Sequence, residues 1–337
     1  MSTPTSHCNL GAVFGAARSG TTWLGAIVAS HPEVVYRFEP FHRLNRSNVD
    51  VRDTFDLVRS DAFSTEDICQ IYNTLIRAYP ELEKPPFLAN NSKRSFLWTK
   101  YLLWLIARKY PIFSSLYTNI YTPKDTALIV FKEVDYSELF LPLLKRTQVP
   151  LVYIVRHPCA CIFSTMKGQE KSLIPTGRRS VLNNLLARYE PELAQKYGSR
   201  LDKLKISEQE ALLWLIEVRR SFQACQEHSN GLTVFYEQLT KQPLETSEQV
   251  FQHLGLSMTQ KSVEFIAEST NTSSSSSPSS VKRGELGINS YFTVFRDPQK
   301  SRDRWKTEMP KEDQQRVKEI VADSEVFRFG VEKLLWD

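Results

Sequence analysis

The stretch from Leu10 to Leu24 constrains this chain more than any other. A short apolar run through Val13 and Phe14 enters a turn of small residues. An amphipathic helix leaves that turn through Thr21, Thr22, Trp23, Leu24, Ile27 and Val28. A strand, a small-residue loop and a helix in this order aim backbone N–H groups and the positive helix end at one point, which suits a phosphate or a sulfate. The spacing Gly15-x-x-x-x-Gly20-Thr21-Thr22 is nearly the Walker A pattern, but Thr21 stands where that pattern has Lys. The cation is instead Arg18, inside the loop. Arg18, Ser19, Gly20, Thr21 and Thr22 crowd donors into one turn, so an anionic nucleotide is expected there, though not ATP used for phosphoryl transfer. The plainer alternative is an ordinary tight turn of an α/β protein.

Further strand-like runs follow at Val34–Phe38, at Ala127–Phe131 before Lys132 and Glu133, at Pro150–Val155 and at Leu232–Tyr236. Helical spacing separates them, at 50–60, 65–79, 96–110, 139–146, 178–196, 207–227 and 244–254, with a last long helix at 311–322. Leu151–Val155 is almost continuously apolar, as strands covered on both faces are. The alternation predicts an α/β fold with a P-loop-type central parallel sheet flanked by helices. A single domain over residues 1–337 is expected. Residues 43–127 are the least regular and read as a helical cap insertion, an acceptor-facing role being weighed against plain packing. At helical spacing their aromatics Trp98, Tyr101, Trp104 and Tyr110 favour core, with a sugar-stacking groove as the alternative. Ser269–Ser280 is a serine-rich loop.

Composition narrows the partners. A formal net charge of +5 with no Lys/Arg-rich run suits a small anionic ligand better than a nucleic acid. The five cysteines, Cys8, Cys69, Cys159, Cys161 and Cys225, are odd in number and scattered, so free thiols in a reducing compartment are expected. The nearest approach to a membrane span, 96–110, is interrupted by Lys100, Arg108 and Lys109. With no apolar leader at the N-terminus, a cytoplasmic location is expected. No oxygen cage for a metal is evident.

A second cation ends the fourth apolar run after the loop strand is counted. Arg156 follows Val155, and Ser164 stands eight positions further on the next helix. Two arginines at strand ends that face one sheet edge suit a ligand with two separate anionic groups, through their forked donors. A surface salt bridge is the alternative for Arg156. Ala17-Arg18-Ser19-Gly20-Thr21-Thr22-Trp23-Leu24 resembles the 5′-phosphosulfate loop of the sulfotransferases, and Ile154-Val155-Arg156 through Ser164 resembles their 3′-phosphate motif. Phe235-Tyr236-Glu237-Gln238-Leu239 is similar to their adenine-reaching segment, and Lys282-Arg283-Gly284 to a C-terminal phosphate clamp. Phe295-Arg296-Asp297-Pro298 with Ser301 and Trp305 looks like the C-terminal region of the bacterial and carbohydrate-type members. Arg18 in place of Lys, together with Phe38-Glu39-Pro40, is closer to the carbohydrate and tyrosylprotein branches than to the steroid and phenol branch.

The resemblance implies 3′-phosphoadenosine 5′-phosphosulfate as donor and no metal. The donor would be held by Arg18, Ser19, Gly20, Thr21, Thr22, Trp23, Arg156, Ser164, Tyr236, Lys282, Arg283 and Gly284. It implies a hydroxyl acceptor on a small molecule or glycan, with a carbohydrate acceptor and a bacterial-type enzyme as the specific expectation. Sulfuryl transfer is an in-line displacement that needs the leaving phosphate stabilised and the acceptor's proton removed. Arg18 fits the first task, and Lys132 is placed to touch the sulfate or the bridging oxygen. For the base, Glu39 comes first, because it closes the strand after the loop helix and desolvation would raise its carboxyl toward neutrality. Glu133 and His42 are rivals, and Glu39 could instead cap the loop helix or pair with Arg18. His157 reads as packing, and His31 as part of a helix-ending turn. Two other functions stay open at this point: a degenerate P-loop kinase or NTPase, and a non-catalytic nucleotide-binding protein.

Overall fold

A computed structural model describes residues 8–83, 97–123, 127–174, 179–270 and 297–336. Its centre is a sheet of β1 (Leu10–Gly15), β2 (Val34–Phe38), β3 (Leu128–Lys132), β4 (Leu151–Val155) and β5 (Gly231–Phe235). All pairings are parallel, in the order β2-β3-β1-β4-β5. The helices of the first half are α1 (Thr21–Ala29), α2 (Pro40–Leu44), α3 (Val49–Arg59), α4 (Ile68–Leu75), α5 (Leu97–Lys109), α6 (Pro111–Tyr121) and α7 (Ser137–Arg146). Then come α8 (Pro158–Glu170), α9 (Arg179–Tyr189), α10 (Pro191–Tyr197), α11 (Ile206–Glu227), α12 (Tyr236–Lys241) and α13 (Pro243–His253). The last are α14 (Gln260–Thr270), α15 (Pro298–Glu308), α16 (Lys311–Val321) and α17 (Glu325–Glu332).

The expected α/β sheet is therefore present, and its strands are apolar because both faces are covered. On β1, Ala12 and Phe14 enter the larger core, which Phe140, Leu215 and Phe222 also build. Val13 faces the other way, among Leu24, Ile27 and Phe251. The chain leaves β1 toward one edge of the sheet and leaves β4 toward the other. The C-terminal ends of these neighbours thus form a topological switch point, where open α/β sheets bind ligands.

Some local expectations change. The helix expected over 178–196 is broken, because Pro191 opens a new helix at its first turn. The helix expected over 65–79 shrinks to α4, preceded by a one-turn 3-10 segment at Thr65–Asp67 that Ser64 and Asp67 cap reciprocally. Of the four cap aromatics, Trp104 is buried and Tyr101 stacks on it, but Trp98 and Tyr110 are 56% and 50% exposed. The cysteines also differ from expectation. Cys8 and Cys69 form a disulfide with Cα atoms 5.3 Å apart, while Cys159, Cys161 and Cys225 are free and buried. Spacing could not show this pair, because the two residues lie 61 positions apart and meet only when the segment before β1 lies beside α4. Among the described residues no helix is long and apolar enough to cross a membrane.

Candidate active site

Three of the five strands end in the same backbone feature. Arg18 after β1, Glu39 after β2 and Asp135 after β3 are non-glycine residues in the left-handed region, with φ of 68°, 51° and 55°. Each such residue costs on the order of 1–2 kcal/mol, and this strain concentrates at working sites. All three line one cavity of about 1180 Å³ at the C-terminal edge of the sheet.

The loop is built from its neighbours outward. Asp135 Oδ1 accepts a hydrogen bond from the Ala17 N–H at 2.7 Å, and the Asp135 N–H bonds the Gly15 carbonyl at 3.2 Å, so the end of β3 pins both sides of the turn. Gly20 caps α1 at φ 105°, and a Cβ there would stand 2.5 Å from the Tyr236 ring. Only glycine fits this place. The first turn of α1 leaves the N–H groups of Thr21 and Thr22 without helical acceptors, and both residues line the cavity. Trp23 packs edge-on to Tyr236 and donates from Nε1 to Ser269 Oγ at 3.1 Å. Ser19 is the exception among the loop residues. Its side chain is fully buried beneath the loop, its Oγ has no partner among the described residues, and it does not line the cavity.

Arg156 crosses to the loop from β4. Its Nη1 donates to the Arg18 carbonyl at 2.9 Å and its Nη2 to the Ser301 carbonyl, and the guanidinium lies 4.4 Å from the centre of the Tyr236 ring. Arg156 is buried, so the surface salt bridge is not its environment. Arg18 Nε donates to Ser164 Oγ at 3.0 Å. The two motifs, far apart in sequence, are thus one hydrogen-bonded unit. Lys282, Arg283 and Gly284 lie outside the described residues, as do 271–280 of the serine-rich loop and Phe295.

Glu39 meets Lys132 across the β2–β3 pair. The Glu39 N–H bonds the Lys132 carbonyl at 2.8 Å, and Lys132 Nζ donates to Glu39 Oε1. Arg43 stands 3.6 Å from the other carboxylate oxygen. Burial pushes the Glu39 carboxyl up, but Lys132, by charge and hydrogen bond, and then Arg43 hold the net value below the ordinary carboxylate range. The expected rise toward neutrality is therefore reversed, by a cation the sequence placed one strand away. Nor does Glu39 cap α1 or pair with Arg18: its ion pairs are to Lys132 and Arg43.

Glu133 lies beneath, fully buried, accepting from the N–H groups of Phe41 at 2.7 Å and His42 at 3.3 Å. Burial first, then the negative charge of Glu39, push its carboxyl up to about 8. It does not line the cavity, whereas His42 does. His157 stacks on Trp305 with centroids 4.2 Å apart, and burial drives it down to about 3, so it is a neutral packing residue. His31 bonds the Ser257 carbonyl at 3.0 Å in the turn after α1.

Sequence reading missed several wall residues. Asp135 has no local signature. Glu217 had one: it interrupts the apolar face of α11, between Trp214 and Val218. It accepts from the Ser137 N–H at 3.0 Å, and burial followed by the charge of Asp135 pushes it up to about 7. The outer wall comes from Phe163, Leu173, Ile174, Val181, Asn184 and Arg188, and of the described residues in 43–127 only Arg43 lines the cavity. Among the described residues no group of three His, Cys, Asp or Glu could hold a metal.

Comparison with known proteins adds the following. A sequence profile described as the sulfotransferase family matches residues 12–260. The mouse sulfotransferase SULT7A1 complexed with PAP shares 14% identity at a TM-score of 0.50, over 97% of this chain and 89% of that one. The sulfotransferase domain of the Synechococcus PCC 7002 olefin synthase shares 18% identity at a TM-score of 0.45, over 93% and 94%. Retinol dehydratase in complex with androsterone and inactive cofactor PAP shares 17% identity at a TM-score of 0.45, over 94% and 82%. No curated protein matches the chain. At 14% identity, the likeness to the mouse sulfotransferase speaks to the fold alone.

Proposed function

The chain belongs to the sulfotransferase family, and from that premise we propose that it moves a sulfuryl group from 3′-phosphoadenosine 5′-phosphosulfate to a hydroxyl acceptor. One observation carries this reading: Arg156 bonds the carbonyl of Arg18 while Arg18 bonds Ser164, in the wall of one cavity. A nucleotide with anionic groups at both ends needs two cation clusters in fixed register.

The residues present fit such a donor. Gly20 leaves the backbone open where a side chain would strike Tyr236, and Arg156 Nε is buried without a partner among the described residues. Gly20, Thr21 and Thr22 with Arg18 would hold the phosphosulfate end, Arg156 and Ser164 the 3′-phosphate, and Trp23 with Tyr236 the base. Ser19 would contribute only its backbone. When bound, the donor supplies the sulfuryl group and a phosphate leaving group.

In this reading Arg18 and Lys132 stabilise charge where the leaving oxygen develops it. Glu39, which lines the cavity with its carboxyl held below the ordinary range, takes the acceptor's proton in this reading. Lys132 keeps it oriented. Glu133 carries the N–H groups of Phe41 and His42, and so sets the turn that presents Glu39.

For the acceptor, a carbohydrate remains the first proposal. The apolar outer wall of Leu173, Ile174 and Val181 favours a second, a hydroxyl on an apolar body. We take the chain as one domain, with 43–127 as its helical insertion.

The deciding experiment is thermal stability with adenosine 3′,5′-bisphosphate against ATP–magnesium. A rise with the bisphosphate alone is expected. A rise with ATP–magnesium alone would overturn the reading. Transfer of labelled sulfate to a panel of sugars and apolar alcohols then separates the two acceptor classes.

A further inference from the structure

Helices α5 and α6 form a hairpin that rests on the turn at Pro80–Leu82 beside β2. Its inner side is well held. Trp104 donates to the Pro80 carbonyl at 2.8 Å, Tyr117 donates to Glu83 at 2.7 Å, and Lys100 pairs with the same carboxylate. Glu83 also pairs with Arg37 of β2, which ties the hairpin to the sheet two residues before Glu39.

The outer side is different. A helix with apolar residues all round is ordinarily enclosed, yet here a second apolar stripe stands in solvent. Trp98 and Leu105 are 56% and 44% exposed, and Ile112, Leu116 and Ile120 are 80%, 45% and 54% exposed. Nine of the fifteen large hydrophobic residues that are exposed among the described ones fall within this hairpin, so the concentration is local. From Leu97 to Tyr121 there is no Asp or Glu. Beside the stripe Arg108 and Lys109 are exposed and carry their charge over Trp104 and Tyr110.

We propose that this hairpin is a docking surface for an anionic lipid bilayer, lying in the interface with its outer apolar stripe among the headgroups and acyl chain ends. Short amphipathic helices with basic residues and interfacial Trp and Tyr bind membranes in this way. The helices have 13 and 11 residues, too short to span a hydrocarbon core that needs about 20. The charge also argues against self-association, because the same hairpin of a second copy has no Asp or Glu to answer Arg108 and Lys109. The inference is independent of what the cavity binds.

Flotation with vesicles tests it. The protein is expected to bind phosphatidylcholine vesicles containing about 30 mol % phosphatidylglycerol, to bind pure phosphatidylcholine far more weakly, and to be released by about 0.5 M NaCl. Ile112→Asp with Leu116→Asp should weaken binding by about a hundredfold or more. Arg108→Glu with Lys109→Glu should weaken it by at least about tenfold. These side chains are exposed, so thermal melting of the variants checks that the fold is kept. Failure of the unaltered protein to float with the anionic vesicles would overturn the proposal, as would undiminished binding by both variants. Light scattering that shows a dimer dissolved by Ile112→Asp with Leu116→Asp would assign the stripe to self-association instead. Nucleotide response of the variants should be unchanged, so failure here is distinguishable from failure at the cavity.

Discussion

Arg156 donates to the backbone carbonyl of Arg18 at 2.9 Å, so the cation at the end of β4 braces the loop that carries the cation at the end of β1. The same guanidinium reaches the Ser301 carbonyl and lies over Tyr236. Arg156→Ala removes all of these at once. Charge-assisted bonds contribute about 1.5–3 kcal/mol each, so a stability loss of about 2–4 kcal/mol is expected, with adenosine 3′,5′-bisphosphate affinity lowered by about a hundredfold or more. Arg156→Lys keeps the charge but not the fork and should recover little of the affinity. Denaturant melts and nucleotide titration by calorimetry measure the two effects; full affinity in Arg156→Lys would show that charge alone suffices.

Gly20→Ala tests the loop from the other side. The backbone there is at φ 105°, and the added Cβ would meet the Tyr236 ring at 2.5 Å. Strain and overlap together should cost about 2 kcal/mol or more. In the Gly20→Ala, Tyr236→Ala double variant the overlap is gone and the strain remains, so the two changes should be less than additive in stability. Additive losses in a double-mutant cycle would show that the ring does not meet the loop.

The Cys8–Cys69 bridge closes a separation of 61 residues. By the loop-entropy relation such a crosslink contributes on the order of 4 kcal/mol. Urea unfolding with and without reductant should show a loss of that order in the unaltered protein, and Cys69→Ser should be insensitive to reductant. Equal midpoints in both redox states would remove the bridge as a stabilising element.

Strands and strand ends were legible in the sequence because they are local. Val34–Phe38 and Leu151–Val155 announce themselves by apolar run length, and Arg18, Glu39, Lys132 and Arg156 by standing where those runs stop. What meets across the sheet was not legible. The chain does not say that β3 lies between β1 and β2, and this alone puts Lys132 beside Glu39 and reverses the expected direction of its carboxyl shift. The disulfide and the Asp135 anchor were hidden for the same reason: each joins elements distant in sequence. Residues 43–127 were hardest, since helical periodicity shows that a helix has an apolar face but not whether that face is covered. Trp104 and Trp98 sit six positions apart on α5, and one is buried while the other is exposed.

Two carboxyls at the ends of the neighbouring strands β2 and β3 titrate in opposite senses. Glu39 is held below its ordinary value, so its pairing contributes stability that is present above the unfolded value of about 4.3 and is lost as pH falls through the lower folded value. Glu133 is raised to about 8, so the folded state holds a proton that the unfolded state has released. Its contribution is full below about pH 4.3 and declines as pH rises toward 8. Melting across pH 5.5 to 8.5 should therefore show the unaltered protein losing stability with rising pH relative to Glu133→Gln, whose profile should be flatter. Parallel profiles would mean that Glu133 is ionised throughout. Lys132→Met should carry Glu39 upward, because burial then acts with only the smaller opposition of Arg43 and His42 against it. With Glu39 as the base, the acid limb of the transfer rate should move to higher pH in Lys132→Met. Glu39→Gln should lower turnover by about a hundredfold to ten-thousandfold while nucleotide binding stays. An acid limb that stays in place in Lys132→Met, with turnover retained in Glu39→Gln, would transfer the proton-accepting role to another wall residue, and His42 is the one that lines the cavity nearest in sequence.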